Sequence, residues 1–127
     1  MSGQSLHKTN NPDPQKVVTK AVIRGSEQLG LTARVLAGVL GLSEPSISRM
    51  KRGEFALEPE TKAFELGLLF VRLFRSLDAI AGGDATVAKS WLSNPNTALE
   101  ARPVDMIQTI PGLVDVIRYL DARRALV

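Results

Sequence analysis

Residues 31–53, LTARVLAGVLGLSEPSISRMKRG, decide the fold of this chain. Their pattern predicts two short helices, about Ala33–Leu40 and Glu44–Arg52, joined by a tight turn. Gly41 falls at the turn, where glycine adopts a left-handed backbone at little cost, and Ser43 is placed to cap the second helix. A small residue, a glycine and then an isoleucine at this spacing are typical of a DNA-binding helix-turn-helix. An ordinary helical hairpin is the alternative.

The outward face of the second predicted helix carries short polar groups followed by cations, which favours DNA binding. A recognition helix contacts base edges mainly with its N-terminal residues, so we expect Arg49 to pair with guanine and Glu44 with cytosine. A solvated surface arginine is the alternative for Arg49. Lys51 and Arg52 are better suited to phosphates. The candidate DNA-binding residues are Ser43, Glu44, Pro45, Ser46, Ser48, Arg49, Lys51 and Arg52.

The composition limits the classes of protein to which the chain can belong. Its 127 residues are enough for one ordinary domain or two very small ones. The sequence has no cysteine, which excludes disulfides, thiolate metal sites and thiol nucleophiles. No apolar run approaches the roughly 20 residues that cross a bilayer, and the first residues lack a signal-peptide pattern. We therefore expect a soluble cytoplasmic protein.

Catalysis is not expected from this sequence. The one histidine, His7, lies in the polar residues 1–12, which predict a disordered tail. No Gly-rich phosphate loop follows a strand, no carboxylates cluster at metal-ligand spacing, and Ser46 and Ser48 have no base to activate them. The sequence therefore predicts no enzyme activity, no cofactor and no metal.

Charge is distributed unevenly along the chain. Residues 1–57 hold eight Lys and Arg against four Asp and Glu, a net charge of +4, whereas residues 58–127 hold eight against nine, a net charge of −1. The positive half contains the predicted helix-turn-helix, as a protein that approaches phosphate groups requires. Because the excess is modest, it supports DNA binding without establishing it.

The remaining pattern is helical throughout. An inward stripe on the first helix is formed by Val17, Val18, Ala21, Val22 and Leu29, and Phe55 and Leu57 are expected to pack against the first three helices. Trp91 and Met106 are expected in the core. The further helices are predicted at about Pro14–Leu29, Pro59–Ala81, Ala85–Ser93, Val104–Thr109 and Leu113–Arg124.

The long predicted helix Pro59–Ala81 has apolar residues on more than one side, so it must be buried on two sides. One side faces its own chain, and we expect the other to face a second copy, because paired recognition helices must span one turn of duplex. The central helix of a monomeric bundle is the alternative. The candidate dimerisation residues are Leu66, Leu69, Phe70, Leu73, Phe74 and Leu77.

A family resemblance covers the chain from about residue 15 to residue 127. The first half looks like a Cro/Xre-type helix-turn-helix domain. The second half, AKSWLSNPNTALEARPVDMIQTIPGLVDVIRYL from residue 88, is similar to the toxin-binding domain of the Xre/MbcA/ParS antitoxins. The residues that carry this resemblance are Trp91, Leu92, Pro95, Asn96, Leu99, Pro103, Gly112, Val116 and Leu120.

The resemblance implies an antitoxin of a bacterial type II toxin–antitoxin pair. The usual partner in this family is a RES-domain toxin that depletes NAD; the antitoxin blocks it with the C-terminal domain and represses its own operon through the helix-turn-helix. The implied architecture is an all-α chain in which a long helix joins a helix-turn-helix bundle to a small helical toxin-binding domain. We expect its parts at 1–12 (tail), 13–57 (helix-turn-helix), 58–83 (connecting and dimerisation helix) and 84–127 (toxin binding).

The basic end of the last predicted helix is the candidate toxin-binding surface. Its residues either enter an acidic, nucleotide-sized cleft in a toxin or are cations that favour a helix C-terminus. Two other functions stay open, namely a free-standing repressor whose second half only dimerises and a protein inhibitor that has lost DNA binding. The candidate toxin-binding residues are Arg118, Tyr119, Arg123, Arg124, Leu126 and Val127.

Overall fold

The computed structural model describes residues 13–126 and folds them into seven helices. They are α1 (Pro14–Gln28), α2 (Ala33–Leu40), α3 (Glu44–Lys51), α4 (Lys62–Ile80), α5 (Ala85–Ser93), α6 (Pro103–Met106) and α7 (Ile110–Ala125). Within these residues the only β structure is an isolated antiparallel bridge between Asn96 and Ala101. The predicted all-α fold is confirmed.

Some predictions concern residues outside the described range. The tail at 1–12, with His7, and the terminal Val127 of the candidate toxin-binding surface belong to this group. Across residues 13–126, none of the helices combines the length and the apolar character that a membrane span needs.

The turn between α2 and α3 has the geometry that the sequence predicts. Gly41 adopts a left-handed backbone with φ 68° and ψ 32°, and the N–H of Leu42 donates to the carbonyl of Ala37 at 3.0 Å. The hydroxyl of Ser43 accepts from the N–H of Ser46 at 3.2 Å and so caps α3. Ala37 and Ile47 are both buried. The two helices therefore pack closely and leave the other face of α3 outside.

Helix α1 begins at an Asp13 cap and packs along α4. The prediction that Val17 faces inward is wrong, because its side chain is 49% exposed. It lies beside the stripe through Val18 and Val22, and this offset turns it towards solvent. Instead, α1 buries Thr19, whose hydroxyl accepts from the N–H of Leu57 at 2.9 Å. This hydrogen bond attaches the chain after α3 to the first helix.

Helix α4 begins at Lys62, three residues later than the Pro59 start that the sequence predicts. Glu60 has a positive φ of 71°, which interrupts the helix. The hydroxyl of Thr61 then accepts from the N–H of Phe64 at 3.2 Å and donates to the carbonyl of Glu58 at 2.7 Å. The threonine cap, rather than the proline, sets the start of α4.

Helix α4 is the central helix of the molecule and contacts α1, α2, α5 and α7. Leu66, Phe70, Leu73 and Leu77 are each at most 5% exposed within the single chain. Their assignment to a dimer interface is therefore wrong, because the helix buries several sides against its own chain. Leu69 and Phe74 are half-buried against the same core.

The start of α7 and the end of α6 also differ from the prediction. Helix α6 ends at Met106, and α7 begins at Ile110 rather than Leu113. Pro111 does not break a helix, because it falls in the first turn of α7, where its missing N–H has no partner to lose. A Cβ at Gly112 would overlap the carbonyl oxygen of Met106, so only glycine allows α6 to approach α7 this closely.

Candidate DNA-binding and partner-binding surfaces

The outer face of α3 presents the predicted DNA-binding residues together. Most are exposed, and Ser46 and Ser48 are half-buried beside them. The exposed members are Ser43, Glu44, Pro45, Arg49, Lys51 and Arg52. The base-contact candidates lie in the first turns and the phosphate candidates at the end, as they do in a helix that enters the major groove.

Hydrogen bonds along this face pre-orient its polar groups. The hydroxyl of Ser43 donates to that of Ser46 at 3.0 Å, and the Arg49 guanidinium donates to the same Ser46 oxygen at 3.1 Å. Arg52 forms an ion pair with Glu54 at 3.2 Å, an interaction that was not predicted from the sequence. Ser46 thus positions Arg49, and Glu54 offsets part of the charge at the end of α3.

An aromatic stack joins α5 to α7 on the second candidate surface. The rings of Trp91 and Tyr119 lie 6.1 Å apart between centroids with planes 18° from parallel. Arg123 donates to the Tyr119 hydroxyl at 2.9 Å, and its guanidinium lies 5.8 Å from the ring centroid. The pKa of Tyr119 is lowered mainly by hydrogen bonding from the Asn96 side chain and further by the adjacent Arg123, whereas burial raises it.

The part that Trp91 plays in this stack was not predicted from the sequence. Trp91 was expected in the core, but the structure leaves its side chain half-buried and in contact with a candidate partner-binding residue. Met106 is likewise half-buried against the core. Tryptophan and tyrosine stacked beside an arginine are the residue types that dominate protein–protein interfaces.

The two arginines in the last turn of α7 have different partners. Arg123 contacts Tyr119, whereas Arg124 donates to the hydroxyl of Ser76 on α4 at 3.3 Å. Ser76 donates in turn to Asp121 at 3.0 Å, and Asp121 also pairs with Arg72. Arg124 is therefore held by a polar network between α4 and α7 rather than beside Arg123.

The remaining described residues of the candidate toxin-binding set are open to solvent. Arg118 is exposed on α7, and Leu126, just after the helix, is 85% exposed. An apolar side chain this exposed at a chain end has no packing role within the described chain.

The family-like residues at 94–103 build a turn rather than a binding pocket. The Asn96 side chain accepts from the N–H of Leu99 at 3.0 Å, and the Asn96 N–H donates to the carbonyl of Ala101 at 3.0 Å. Glu100 closes the turn with a positive φ of 60°, and Pro103 is buried at the start of α6. The spacing of these residues is therefore set by the turn that connects α5 to α6.

A two-helix turn with a buried inner face and an exposed, polar and basic second helix defines a helix-turn-helix protein of the DNA-binding class. The helices that follow add a second unit, which packs on α4 and has its own surface of half-buried aromatic and exposed basic residues.

Comparison with known families agrees with both units. The model for the antitoxin Xre-like helix-turn-helix domain matches residues 10–72, and the model for the antitoxin Xre/MbcA/ParS C-terminal toxin-binding domain matches residues 76–125. A search of curated proteins gave no match. The chain belongs to the Xre/MbcA/ParS antitoxin family and carries both a helix-turn-helix and a toxin-binding domain.

Proposed function

We propose that this antitoxin neutralises a cognate toxin by direct binding and represses its own operon through the helix-turn-helix. The observation that carries the proposal is the presence of both family domains on one chain, joined through α4. The toxin of this proposal is of the RES-domain, NAD-depleting type. The working units are 13–57 for DNA, 58–83 as connector and 84–127 for the toxin.

On the DNA side, α3 lies in the major groove of an operator. Arg49 makes a bidentate contact to guanine, and Glu44 accepts from cytosine. The hydroxyls of Ser43, Ser46 and Ser48, together with Pro45 in the first turn of α3, approach bases or phosphates, as their positions towards the start of α3 favour. The cations that end the helix, Lys51 and Arg52, bind phosphates.

On the toxin side, the end of α7 is the inhibitory element. Tyr119 and Arg123 present a rigid aromatic and cationic surface, supported from below by Trp91. In the proposed complex, Leu126 and Val127 enter a cleft of the toxin, and Arg118 and Arg124 contact the toxin beside it. The same cations favour the C-terminus of α7, so stability of the free chain and toxin binding are compatible uses of them.

We also propose that the antitoxin acts as a homodimer in the cytoplasm and is associated with the nucleoid when it is bound to its operator. Two copies are favoured because operators are read as paired half-sites about one helical turn apart. Since the inner leucines and phenylalanines of α4 are buried within the chain, the dimer uses other residues.

Two variants separate the proposed activities. Arg49→Ala should weaken binding to the DNA upstream of the gene by about 1–3 kcal/mol, through loss of a bidentate contact, while toxin neutralisation is kept. Deletion of 122–127 should abolish neutralisation of the toxin encoded by the adjacent gene while DNA binding is kept. Gel shifts and growth rescue measure the two, with Arg75→Ala on the exposed side of α4 as the matched control.

The opposite outcomes are equally specific. If Arg49→Ala binds DNA with the affinity of the wild type, α3 is not the recognition helix. If the truncated chain still rescues growth, the end of α7 is not the inhibitory element. DNA binding with no partner in a co-expression pull-down would favour a free-standing repressor.

A further inference from the structure

A basic groove of about 840 Å³ lies between α1, the end of α3 and residues 53–56. Lys16, Lys20 and Arg24 line one side, and Lys51 lines the other. All four cations are exposed, and the apolar part of the lining includes Phe55. The sequence shows three of these residues only as the outer face of α1, and it is the fold that brings Lys51 next to them.

The spacing of the α1 cations favours a linear ligand. Lys16, Lys20 and Arg24 recur every four residues, so they share one helix face and span about 12 Å along its axis. None of them forms an ion pair with another residue in the range 13–126. Like charges at this spacing repel each other, and a bound polyanion removes that repulsion.

Two carboxylates also line the groove, but they do not neutralise it. Glu54 is already paired with Arg52, and Glu27 lies at the far end, one turn beyond Arg24. A compact anion such as free phosphate needs cations that converge on one point. Cations arranged in a row above apolar side chains fit a chain of phosphates separated by sugars.

The groove is continuous with the proposed DNA surface, because Lys51 belongs to both. We infer that it holds the sugar–phosphate backbone of the duplex next to the recognition helix. Lys16, Lys20 and Arg24 then extend the DNA contact from α3 along α1. The inference rests on the proposed DNA-binding function and names the sugar–phosphate backbone as the second DNA element that the chain contacts.

The test compares two variants that lose the same charge. Lys16→Gln/Lys20→Gln/Arg24→Gln removes the three charges of the row on α1 but keeps the first two methylenes of each side chain. The control removes three exposed cations of α4 and α5, in the variant Lys62→Gln/Arg75→Gln/Lys89→Gln. The measurement is the Kd for the duplex upstream of the gene, and for a random duplex of equal length, over a series of salt concentrations.

The α1 variant should bind both duplexes more weakly by the same factor, because phosphate contacts carry no sequence information. The slope of log affinity against log salt should become shallower by about 0.9 for each phosphate that the variant no longer neutralises, up to about 2.7 for three. The ratio of the two affinities should stay that of the wild type. The slope of the control variant should stay within about 0.9 of the wild-type slope, the value for a single phosphate.

Other outcomes overturn the inference in ways that can be told apart. An unchanged slope in the α1 variant, with loss of specificity in Arg49→Ala, refutes the groove and leaves the proposed function standing. Equal changes in both triple variants show an effect of net charge alone. Loss of toxin binding with DNA binding intact assigns the groove to an acidic protein surface. Failure of the wild type to bind either duplex refutes both.

Discussion

Tyr119 has three neighbouring side chains, and the titration of its phenol is sensitive to this part of the surface. Its ring stacks on Trp91, its hydroxyl accepts from Arg123, and the Asn96 side chain favours its ionised form. The amide hydrogen bond and the guanidinium favour the phenolate, which lowers the pKa of Tyr119. Because the chain has a single tyrosine, its titration measures this surface without interference.

We predict that a spectrophotometric titration of the folded chain gives a tyrosine midpoint below the model-peptide value of about 10. Arg123→Gln should move the midpoint upward, since the variant removes the positive charge of Arg123 that favours the phenolate. The sign for stability follows from linkage. The contribution is complete above the pKa of the unfolded chain and is lost as pH falls through the lower pKa of the folded chain.

The unfolding free energy should therefore rise with pH between these two pKa values, by less in Arg123→Gln than in the wild type. Urea unfolding at several pH values in that window measures it. A midpoint at or above about 10 in the wild type, or no shift in the variant, would contradict the arrangement around Tyr119.

At the scale of the helices, the sequence predicts boundaries well where a capping side chain stands next to them. Thr32, Ser43 and Asp84 each accept from a backbone N–H two or three residues ahead, and the helices after them begin where expected. The helix boundaries predicted from Pro59 and Pro111 were wrong. Pro59 precedes α4 because Glu60, the next residue, has a positive φ, and Pro111 lies inside α7, where Gly112 packs closely on Met106. The residue types alone indicate neither the backbone angle nor the contact.

Burial of α4 could be predicted from its apolar residues, but the surface that buries it could not. A helix that is apolar on several sides needs partners on several sides, and a sequence does not state whether those partners belong to the same chain. The structure assigns them to α1, α2, α5 and α7. The dimer prediction failed for its inner residues because one chain already supplies enough neighbours.

Substitution of Leu73 tests whether α4 is a core helix of one chain or a dimerisation helix. Its side chain is fully buried in the single chain, so we expect Leu73→Ala to lower the unfolding free energy by about 2–5 kcal/mol through reduced burial and a cavity. The control is Leu68→Ala on the same helix, whose side chain is 48% exposed and whose loss should cost about 1 kcal/mol or less.

Urea unfolding followed by circular dichroism at several protein concentrations measures both variants. The difference between Leu73→Ala and the wild type should be the same at each concentration, because the packing that the variant removes lies within one chain. If the difference in unfolding free energy disappears on dilution, Leu73 lies at an interface between two copies of the chain.

At the scale of the whole molecule, the sequence predicts candidate surfaces but not their grouping. The α3 face was accessible to sequence reasoning, since helical periodicity alone places Arg49 outside while Ile47 is buried. Arg123 finds Tyr119 one turn earlier on its own helix, whereas Arg124 is turned away from it by Ser76, which lies 48 residues earlier on α4. Such groupings arise from tertiary packing.

The two units that match the two antitoxin domain models also touch each other. Gly38, on α2 of the helix-turn-helix, faces Gln108 from the connection between α6 and α7. A Cβ at Gly38 would lie 2.9 Å from the Gln108 side-chain oxygen. The side chain of Lys89 on α5 similarly covers Gly30. The units therefore share stabilising contacts, and a double-mutant cycle across them should show coupling.

We predict the following cycle for Gly38→Ala and Gln108→Ala. Alanine in place of a helical glycine stabilises by about 0.5–1 kcal/mol when there is space for its Cβ. With Gln108 present the Cβ is too close, so Gly38→Ala alone should be neutral or destabilising. In the Gln108→Ala background the same change should stabilise, because the obstructing side chain is gone. Gln108→Ala alone should cost a little, through the hydrogen bond from its amide to the carbonyl of Val104 at 3.1 Å.

Urea unfolding of the four proteins gives the coupling energy, which we expect at about 0.5 kcal/mol or more in favour of the double variant. Gly53→Ala provides the control, because no atom lies within 4 Å of a Cβ there. Its strain arises from a positive φ of 77°, so its effect should not depend on Gln108. Additive effects of Gly38→Ala and Gln108→Ala would mean that the helix-turn-helix and the toxin-binding unit do not meet at this contact in solution, and that any coupling between them passes through α4 or through the contact of Lys89 with Gly30.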